Sequence, residues 1–174
     1  VAAGYIPDAR MQVDQARIAA QSSQLVYDEI ASVESVARKI ADMAQQFTQY
    51  AGVRPFGVSL IIAGTSKLGP ELFLTDPSGT YLPYDAIAIG SGGDQVTEYL
   101  EKNYNTDLSL EEACVLATES IYLISEDKSG FDHIKMATVN TNTKKMKLID
   151  DNEVEKFALK AKNRETKGSK AKPE

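Results

Sequence analysis

Apolar residues recur every three or four positions over the N-terminal part of the chain, which is the spacing of the buried face of an amphipathic helix. The first helix is predicted to follow Asp8 and to run to about Gln24. Its apolar stripe consists of Ala9, Val13, Ala16 and Ala20. The second helix is predicted to begin after Ser32, a good N-cap residue, and to end before Gly52, which suits a left-handed C-cap. Its apolar positions are Val33, Val36, Ala37, Ile40, Met43, Ala44 and Phe47.

After Pro55 the pattern changes from helical spacing to short apolar runs between turn residues. Residues 58–63 lie between glycines, and residues 72–75 follow a turn that contains Gly69 and Pro70, so a β-hairpin is predicted. The sequence Asp-Pro-Ser-Gly at 76–79 predicts a further turn. A third strand is expected around residues 86–89.

Two more helices are predicted in the middle of the chain. Glycines at 90, 92 and 93 break the third strand, and a helix is expected after Asp94. Ser109 and Glu112 have the spacing of a capping box, in which each residue satisfies a free backbone N–H of the other. The helix that they begin is predicted to continue to Ile124.

The C-terminal part predicts a second hairpin, from residues 134–139 and 144–149, and a last helix over residues 154–161. The order ααβββααββα is typical of an α+β fold in which helix layers cover an antiparallel sheet. The pattern of apolar residues stops at Lys162, after which Lys, Gly, Ser and Pro dominate. Residues 162–174 are therefore predicted to be a disordered basic tail, and residues 1–161 the domain.

The charge distribution argues against nucleic acid as a partner. The 174 residues include 19 Lys and Arg and 25 Asp and Glu, a net charge of −6; residues 160–174 contribute +4, so residues 1–159 carry −10. No apolar stretch approaches the roughly 18 residues of a membrane span. The single cysteine, Cys114, cannot form an internal disulfide. We therefore expect a cytoplasmic protein with no membrane contact.

Few side chains offer catalytic or metal-binding chemistry. His133 is the single histidine and is interpreted as a strand-edge residue, because no nucleophile motif accompanies it. The carboxylates are scattered over helix faces, and Cys114 is interpreted as a packed residue of its helix. The glycines at 90–93 could surround a phosphate, but Gln95 stands where a dinucleotide motif needs a third glycine. No metal or cofactor is expected.

Several motifs are similar to those of one known family. The chain reads YAGVRPFGVSL at 50–60, Gly-Pro at 69–70, Asp-Pro-Ser-Gly at 76–79 and Ala-Ile-Gly-Ser-Gly at 88–92. In this order the motifs resemble an α-type subunit of the 20S proteasome, of the archaeal kind. The likeness begins near Gly4 with Pro-Asp-Ala-Arg at 7–10 and continues to the last helix near Phe157.

The resemblance implies an αββα sandwich of the N-terminal-nucleophile hydrolase type that is N-terminally incomplete. The α-type subunits carry several dozen residues before the matched part, including a gating segment, an outer helix and the first strand pairs. Residues 1–161 would then be a partial α-type domain. Because strands that pair with residues 58–63 and 134–139 would be partly absent, the chain alone is expected to be insoluble or molten.

The resemblance also implies a function, that of a non-catalytic structural α subunit of the proteasome core particle. Such subunits form a seven-membered outer ring that controls the access of substrates and stacks on β rings. The expected partners are other α subunits, β subunits, and an ATPase or other activator that docks on the α ring.

Two contact sites follow from this resemblance. Gly4 matches the glycine that lines the pocket for activator tails. Contact with the β ring is expected at the connection between the first two helices, around Gln21, Gln24, Tyr27 and Glu29. The alternative interpretation of this connection is simple packing, with Leu25 and Val26 beneath the helix pair.

Two other functions stay open. A threonine-type peptidase of the same fold needs an N-terminal threonine and a serine after the Gly-Ser-Gly turn, where this chain has Val1 and Gly93. Its Asp-x-x-Ser-Gly element is also one residue shorter here, at residues 127–130. The third possibility is a stand-alone interaction module built on helix pairs.

Arg54 likewise has two interpretations. It could bind the carboxylate of a partner, or it could join the helix end near Gly52 to the following strand through backbone carbonyls.

Overall fold

The computed structural model describes residues 1–67, 69–124 and 133–169 and divides into two compact units. The first unit consists of residues 1–91 and 139–145, and the second of residues 92–138 and 146–174. Helices and paired strands together make this an α+β chain, as the sequence predicts.

The first unit contains a four-stranded antiparallel sheet with the spatial order β1-β2-β3-β4. Its elements are β1 (Ala2–Gly4), α1 (Ile6–Tyr27), α2 (Val33–Gln49), β2 (Val58–Ser66), β3 (Gly69–Thr75) and β4 (Tyr81–Pro83). In the register, Leu60 pairs with Ala2 on one side and with Thr75 on the other. The predicted hairpin of β2 and β3 is confirmed.

The first strand, β1, is not predicted by the sequence, because a few small residues carry no strand periodicity. It pairs with residues 58–60 of β2. Partner strands of residues 58–63 were expected to be partly absent, but each of these residues pairs with β1 or β3, and Leu60 pairs with both.

The prediction of a strand around residues 86–89 is also wrong. The strand that follows β3 in the sheet is β4, which comes earlier in the chain. The Asp76 N–H donates to the Thr80 carbonyl at 3.1 Å, which closes the turn and lets pairing start directly after it. Tyr84 still donates to the Leu72 carbonyl at 3.0 Å. Residues 86–89 have no strand structure.

Helices α1 and α2 pack against one face of the sheet. Val58 and Leu60 are two positions apart in β2, so their side chains lie on the same face of the sheet, and they are buried with Ile40 of α2. Phe56 precedes β2 and packs on Phe47, with the ring centroids 4.5 Å apart. The spacing of apolar residues in α2 therefore predicted its buried face correctly.

The buried stripe of α1 differs from the prediction. It consists of Ala9, Gln12 and Ala19, with Ala16 partly buried, whereas Val13 and Ala20 are exposed. The polar Gln12 conceals the spacing of this stripe in the sequence. Gln12 is only 2% exposed, and its side-chain Oε1 has no hydrogen-bond partner within the described part of the chain.

The second unit contains α3 (Gly93–Asn103), α4 (Leu110–Ile124) and α5 (Asp151–Ser169). The predicted capping box is confirmed, since the Ser109 N–H donates to Glu112 Oε2 at 2.9 Å and the Glu112 N–H donates to Ser109 Oγ at 3.3 Å. Helix α4 packs against both α3 and α5.

The remaining strands, β5 (Ala137–Val139) and β6 (Met146–Leu148), pair as the predicted second hairpin, although both are shorter than predicted. Helix α5 continues to Ser169, beyond residue 161 where the apolar pattern ends. Residues 162–169 are thus helical rather than disordered as predicted, which fits their content of Lys, Arg and Glu, residues of good helix propensity. Residues 170–174 lie outside the described residues.

Candidate functional site

The backbone approaches itself closely where β1 ends. Gly4 has a φ of +126°, and a Cβ atom built on it would lie 2.2 Å from the Gly57 carbonyl oxygen. The Tyr5 N–H donates to that same oxygen at 2.7 Å. Only glycine fits at position 4, both because of its φ and because of this contact.

A buried carboxylate holds this junction together. Asp8, in the first turn of α1, is 7% exposed and accepts two bonds from Arg54, Nη1 to Oδ2 at 2.7 Å and Nη2 to Oδ1 at 2.9 Å. The Gly57 N–H donates to Oδ2 at 2.9 Å. The Arg54 hydrogen bond, and next the Gly57 N–H, hold the pKa of Asp8 below its ordinary value.

Arg54 therefore has a different role from either one predicted. It binds a carboxylate of its own chain rather than of a partner, and its backbone contact is the Pro55 carbonyl at 3.0 Å rather than one near Gly52. Its guanidinium carbon also lies 5.2 Å from the centroid of the Tyr5 ring, as in a cation–π contact. The sequence contains no signal that selects Asp8 as its partner.

Gly4, the predicted activator-pocket residue, is an exposed member of this junction. Its contact with Gly57 accounts for the glycine by itself, so the contact with an activator stays a prediction.

The other predicted contact residues lie around the end of α1. Gln24 Nε2 donates to Asp28 Oδ1 at 3.1 Å, and Asp28 adopts the left-handed conformation that ends the helix, with a φ of 51°. Glu29 pairs with Lys67 at 2.7 Å, and this ion pair lowers the pKa of Glu29. Tyr27 is 73% exposed. The structure thus brings Gln24, Tyr27 and Glu29 to one end of the helix pair, while Gln21 is exposed earlier on α1.

The packing interpretation of this connection is wrong. Leu25 is 85% exposed and Val26 is 69% exposed, so neither side chain lies beneath the helix pair. Tyr27 and Ile30 are also exposed, so four apolar side chains within six residues face solvent, a feature typical of protein contact sites. We call these four residues the connection patch.

Hydrogen bonds from two different parts of the chain hold the N-terminus of α2, and they also hold the end of the connection that precedes it. Ser32 accepts a bond from the Ser35 N–H at 3.1 Å, as predicted for an N-cap. Glu71 of β3 accepts a bond from the Val33 N–H at 3.3 Å, a contact between distant residues that sequence reasoning missed. Gly64 of β2 adds a steric constraint, because a Cβ atom there would lie 2.8 Å from Val33 Cγ2.

The candidates for catalysis and metal binding do not come together. His133 lies exposed in a turn before β5, rather than at a strand edge as predicted. Cys114 is buried, and burial followed by the charge of Glu111 raises the pKa of its thiol. Within the described residues, no group of three or more His, Cys, Asp or Glu side chains is placed to hold a metal ion. The predicted packing role of Cys114 is confirmed.

The glycines at the start of α3 have a packing role. Gly92 caps α3 in the left-handed conformation, with a φ of 76°, and a Cβ atom there would lie 3.1 Å from Ile124 Cγ2. This close approach favours the interpretation as a tight turn over that of a phosphate cradle. The element at residues 127–130, which bears on the peptidase alternative, lies outside the described residues.

No helix in the described part of the chain is both long and apolar enough to cross a lipid bilayer.

Comparison with known proteins identifies the family. The family model described as "Proteasome subunit" matches residues 1–139. Proteasome subunit alpha of Archaeoglobus fulgidus is 44% identical over 161 residues, covering 92% of this chain and 65% of that protein. The Methanosarcina thermophila subunit alpha is 41% identical over 151 residues, 87% of this chain and 61% of that protein. The Saccharolobus solfataricus subunit alpha is 49% identical over 119 residues, which cover 68% of this chain and 49% of that protein.

This chain thus spans less than two thirds of the length of these relatives. The family match covers most of the chain, and it includes the Asp8–Arg54 junction and the connection patch. The chain belongs to the proteasome subunit family.

Proposed function

We propose that this chain is a non-catalytic, structural α subunit of a proteasome core particle. The observation that carries the proposal is its identity of 44% over 92% of the chain to a protein named proteasome subunit alpha. Gly93 supports it, because hydrolytic relatives have a serine after the Gly-Ser-Gly turn. In this role the chain contributes to an outer ring of α subunits in the cytoplasm, and the ring controls the access of substrates and docks activators.

The fold that we propose for the assembled subunit is the αββα sandwich. Ile61 and Leu74 are cross-strand neighbours on the sheet face opposite to the one that α1 and α2 cover. Leu82, opposite Leu74, adds to this face and is 49% exposed. A sheet that is apolar on both faces is expected to be covered on both, as in a sandwich.

The contact with the β ring is proposed to involve Gln21, Gln24, Tyr27 and Glu29, next to the connection patch. Apolar side chains that are exposed together, with a tyrosine among them, fit the composition of a protein interface. The anchoring of α2 through Glu71 and Ser32 favours this site, because a contact surface that is already ordered loses less entropy on binding. Gly4 is proposed as part of the activator pocket, on the resemblance alone.

An activity assay tests the non-catalytic role. The chain co-purified with a β-type subunit is expected to hydrolyse fluorogenic peptides, and to lose this activity when the N-terminal threonine of the β-type subunit is replaced by alanine. Turnover that survives this replacement and is blocked by a threonine-directed electrophile would contradict the proposal and favour the peptidase alternative.

A substitution tests the contact site. Tyr27→Ala removes an exposed aromatic side chain, so it is expected to weaken co-assembly with the β-type subunit without changing helix content. Unchanged co-assembly would remove the claim for this site.

A further inference from the structure

A groove of about 430 Å³ lies between α1 and α2, beside the connection patch. Its α1 wall includes Ser22, Ser23, Val26 and Tyr27, and its α2 wall includes Ser35 and Lys39. The serine side chains are too small to fill the space between the two helices, so the groove stays open. Its volume is at the lower end of the range for sites that bind ligands or side chains.

The groove carries a positive charge that the described part of the chain does not neutralise. Lys39 is exposed and forms no ion pair with a described residue. Its neighbour Arg38 is paired with Glu34 at 2.8 Å, and Lys67 is paired with Glu29 at 2.7 Å. Among the described residues, no acidic side chain therefore competes with an outside carboxylate for the Lys39 ammonium.

Two hydroxyl groups in the groove can donate hydrogen bonds to the same ligand as the Lys39 ammonium. Serine and threonine side chains inside a helix often donate to a backbone carbonyl of the preceding turn, as Thr118 does to the Cys114 carbonyl at 2.8 Å. Ser22 and Ser23 are half-buried and make no hydrogen bond with a described residue. The groove thus offers two O–H donors and an ammonium, the donor set that a carboxylate accepts.

We propose that this groove receives an aspartate or glutamate side chain from a loop of a β-type proteasome subunit, with its carboxylate paired to Lys39. The inference rests on the proposed function, because it places the acidic residue in the same contact as the connection patch. Val26 and Tyr27 belong both to the groove and to the connection patch. One loop of the partner can therefore cover these apolar side chains and at the same time pair its carboxylate with Lys39. The pair then selects the partner more than it adds raw affinity.

A charge reversal tests the inference in the complete chain co-expressed with the β-type subunit. Lys39→Glu is expected to raise the apparent dissociation constant of co-assembly at least tenfold, measured by mass photometry on dilution, because two like charges would then meet. Lys39→Arg is expected to stay within about threefold of the original chain. Lys39→Met removes the charge without reversing it and is expected to give an intermediate loss.

The matched control is Lys156→Glu. Lys156 is exposed on α5 and, like Lys39, forms no ion pair with a described residue, and its reversal is expected to leave co-assembly unchanged. Circular dichroism checks that all variants keep their helix content. Substituting the acidic residues of the partner's loops by lysine, one at a time, is expected to restore binding of Lys39→Glu at one position.

The outcomes separate this inference from the proposed function. If Tyr27→Ala weakens co-assembly while Lys39→Glu and Lys39→Met do not, the carboxylate pairing is wrong and the contact site stands. If none of these variants changes co-assembly, the carboxylate pairing and the contact site are both wrong. If Lys39→Glu weakens co-assembly but no lysine in the partner restores it, the pairing with a partner side chain is overturned.

Discussion

Arg54 binds both carboxylate oxygens of Asp8 and so joins the first turn of α1 to the segment that leads into β2. The Gly57 N–H binds the same carboxylate, and the Gly57 carbonyl accepts from Tyr5. Four residues thus fix the point at which β1, α1 and β2 meet. Asp8 is nearly covered by the protein, so the junction depends on its charge being paired.

The ion pair is expected to stabilise the fold more than a surface pair does. Asp8→Asn removes the charge that Arg54 and Gly57 bind, and Arg54→Lys keeps a charge but loses the planar fork. Either variant is expected to lower the urea midpoint clearly, measured by pulse proteolysis of the chain co-purified with its partner subunit. The control is Asp14→Asn on the same helix, where the pair with Arg17 is exposed, and little or no change is expected. Equal effects at the two positions would contradict this role of the junction.

The same pair gives a predictable pH dependence. Because the pKa of Asp8 is lowered in the folded protein, its contribution to stability is fully present above the ordinary Asp value of about 3.9 and is lost as the pH falls through the lower folded value. The difference in unfolding midpoint between the original chain and Asp8→Asn is therefore expected to be constant above about pH 5 and to shrink below it. A difference that grows on acidification would show that the sign is wrong.

Gly4 is expected to tolerate no side chain. Gly4→Ala places a Cβ atom against the Gly57 carbonyl at a positive φ, and strained backbone alone costs about 1 to 3 kcal/mol. Gly69→Ala is the matched control, since Gly69 has a similar φ of +113° but, apart from its chain neighbours, no described residue has an atom within 4 Å of the added Cβ. Pulse proteolysis is expected to show a larger loss of stability at position 4. Losses of the same size would mean that the close approach to Gly57 has no cost.

Replacing the buried Gln12 is expected to stabilise the chain. Its Oε1 has no partner among the described residues, and an unsatisfied buried polar group costs about 1 to 3 kcal/mol. Gln12→Leu keeps a similar size and removes this cost, so the urea midpoint is expected to rise. Gln15→Leu, an exposed position on the same helix, is expected to change stability by no more than about 0.5 kcal/mol. A clear loss of stability in Gln12→Leu would show that the amide is satisfied in the native state.

Elements with local signals were predictable from the sequence. Ser32 and the spacing of apolar residues gave the start and the buried face of α2, and Ser109 with Glu112 gave the start of α4. Elements without such signals were not: β1 is too short to show a period, and Gln12 interrupts the apolar stripe of α1. Helix α5 runs past residue 161, where the apolar pattern ends, through residues that include Lys, Arg and Glu, which have good helix propensity.

The contacts that build the candidate site depend on distant residues. Periodicity places Asp8 directly before a helix and Arg54 in a loop, but it cannot select one acidic partner among many. The same holds for Glu71 and the Val33 N–H. The resemblance proposes Tyr27 and Glu29 as contact residues, which stays a prediction, whereas the exposure of Leu25 is visible only in the folded chain. The expected insolubility of the isolated chain stays a prediction, although each of residues 58–63 pairs with β1 or β3.

Native mass spectrometry of the chain co-expressed with the β-type subunit of the same organism shows whether the chain is a structural α subunit of a proteasome core particle. We expect one mixed assembly that contains several copies of both subunits. The role as an α subunit would be wrong if the chain stayed monomeric, or assembled only with itself, while the β-type subunit assembled without it.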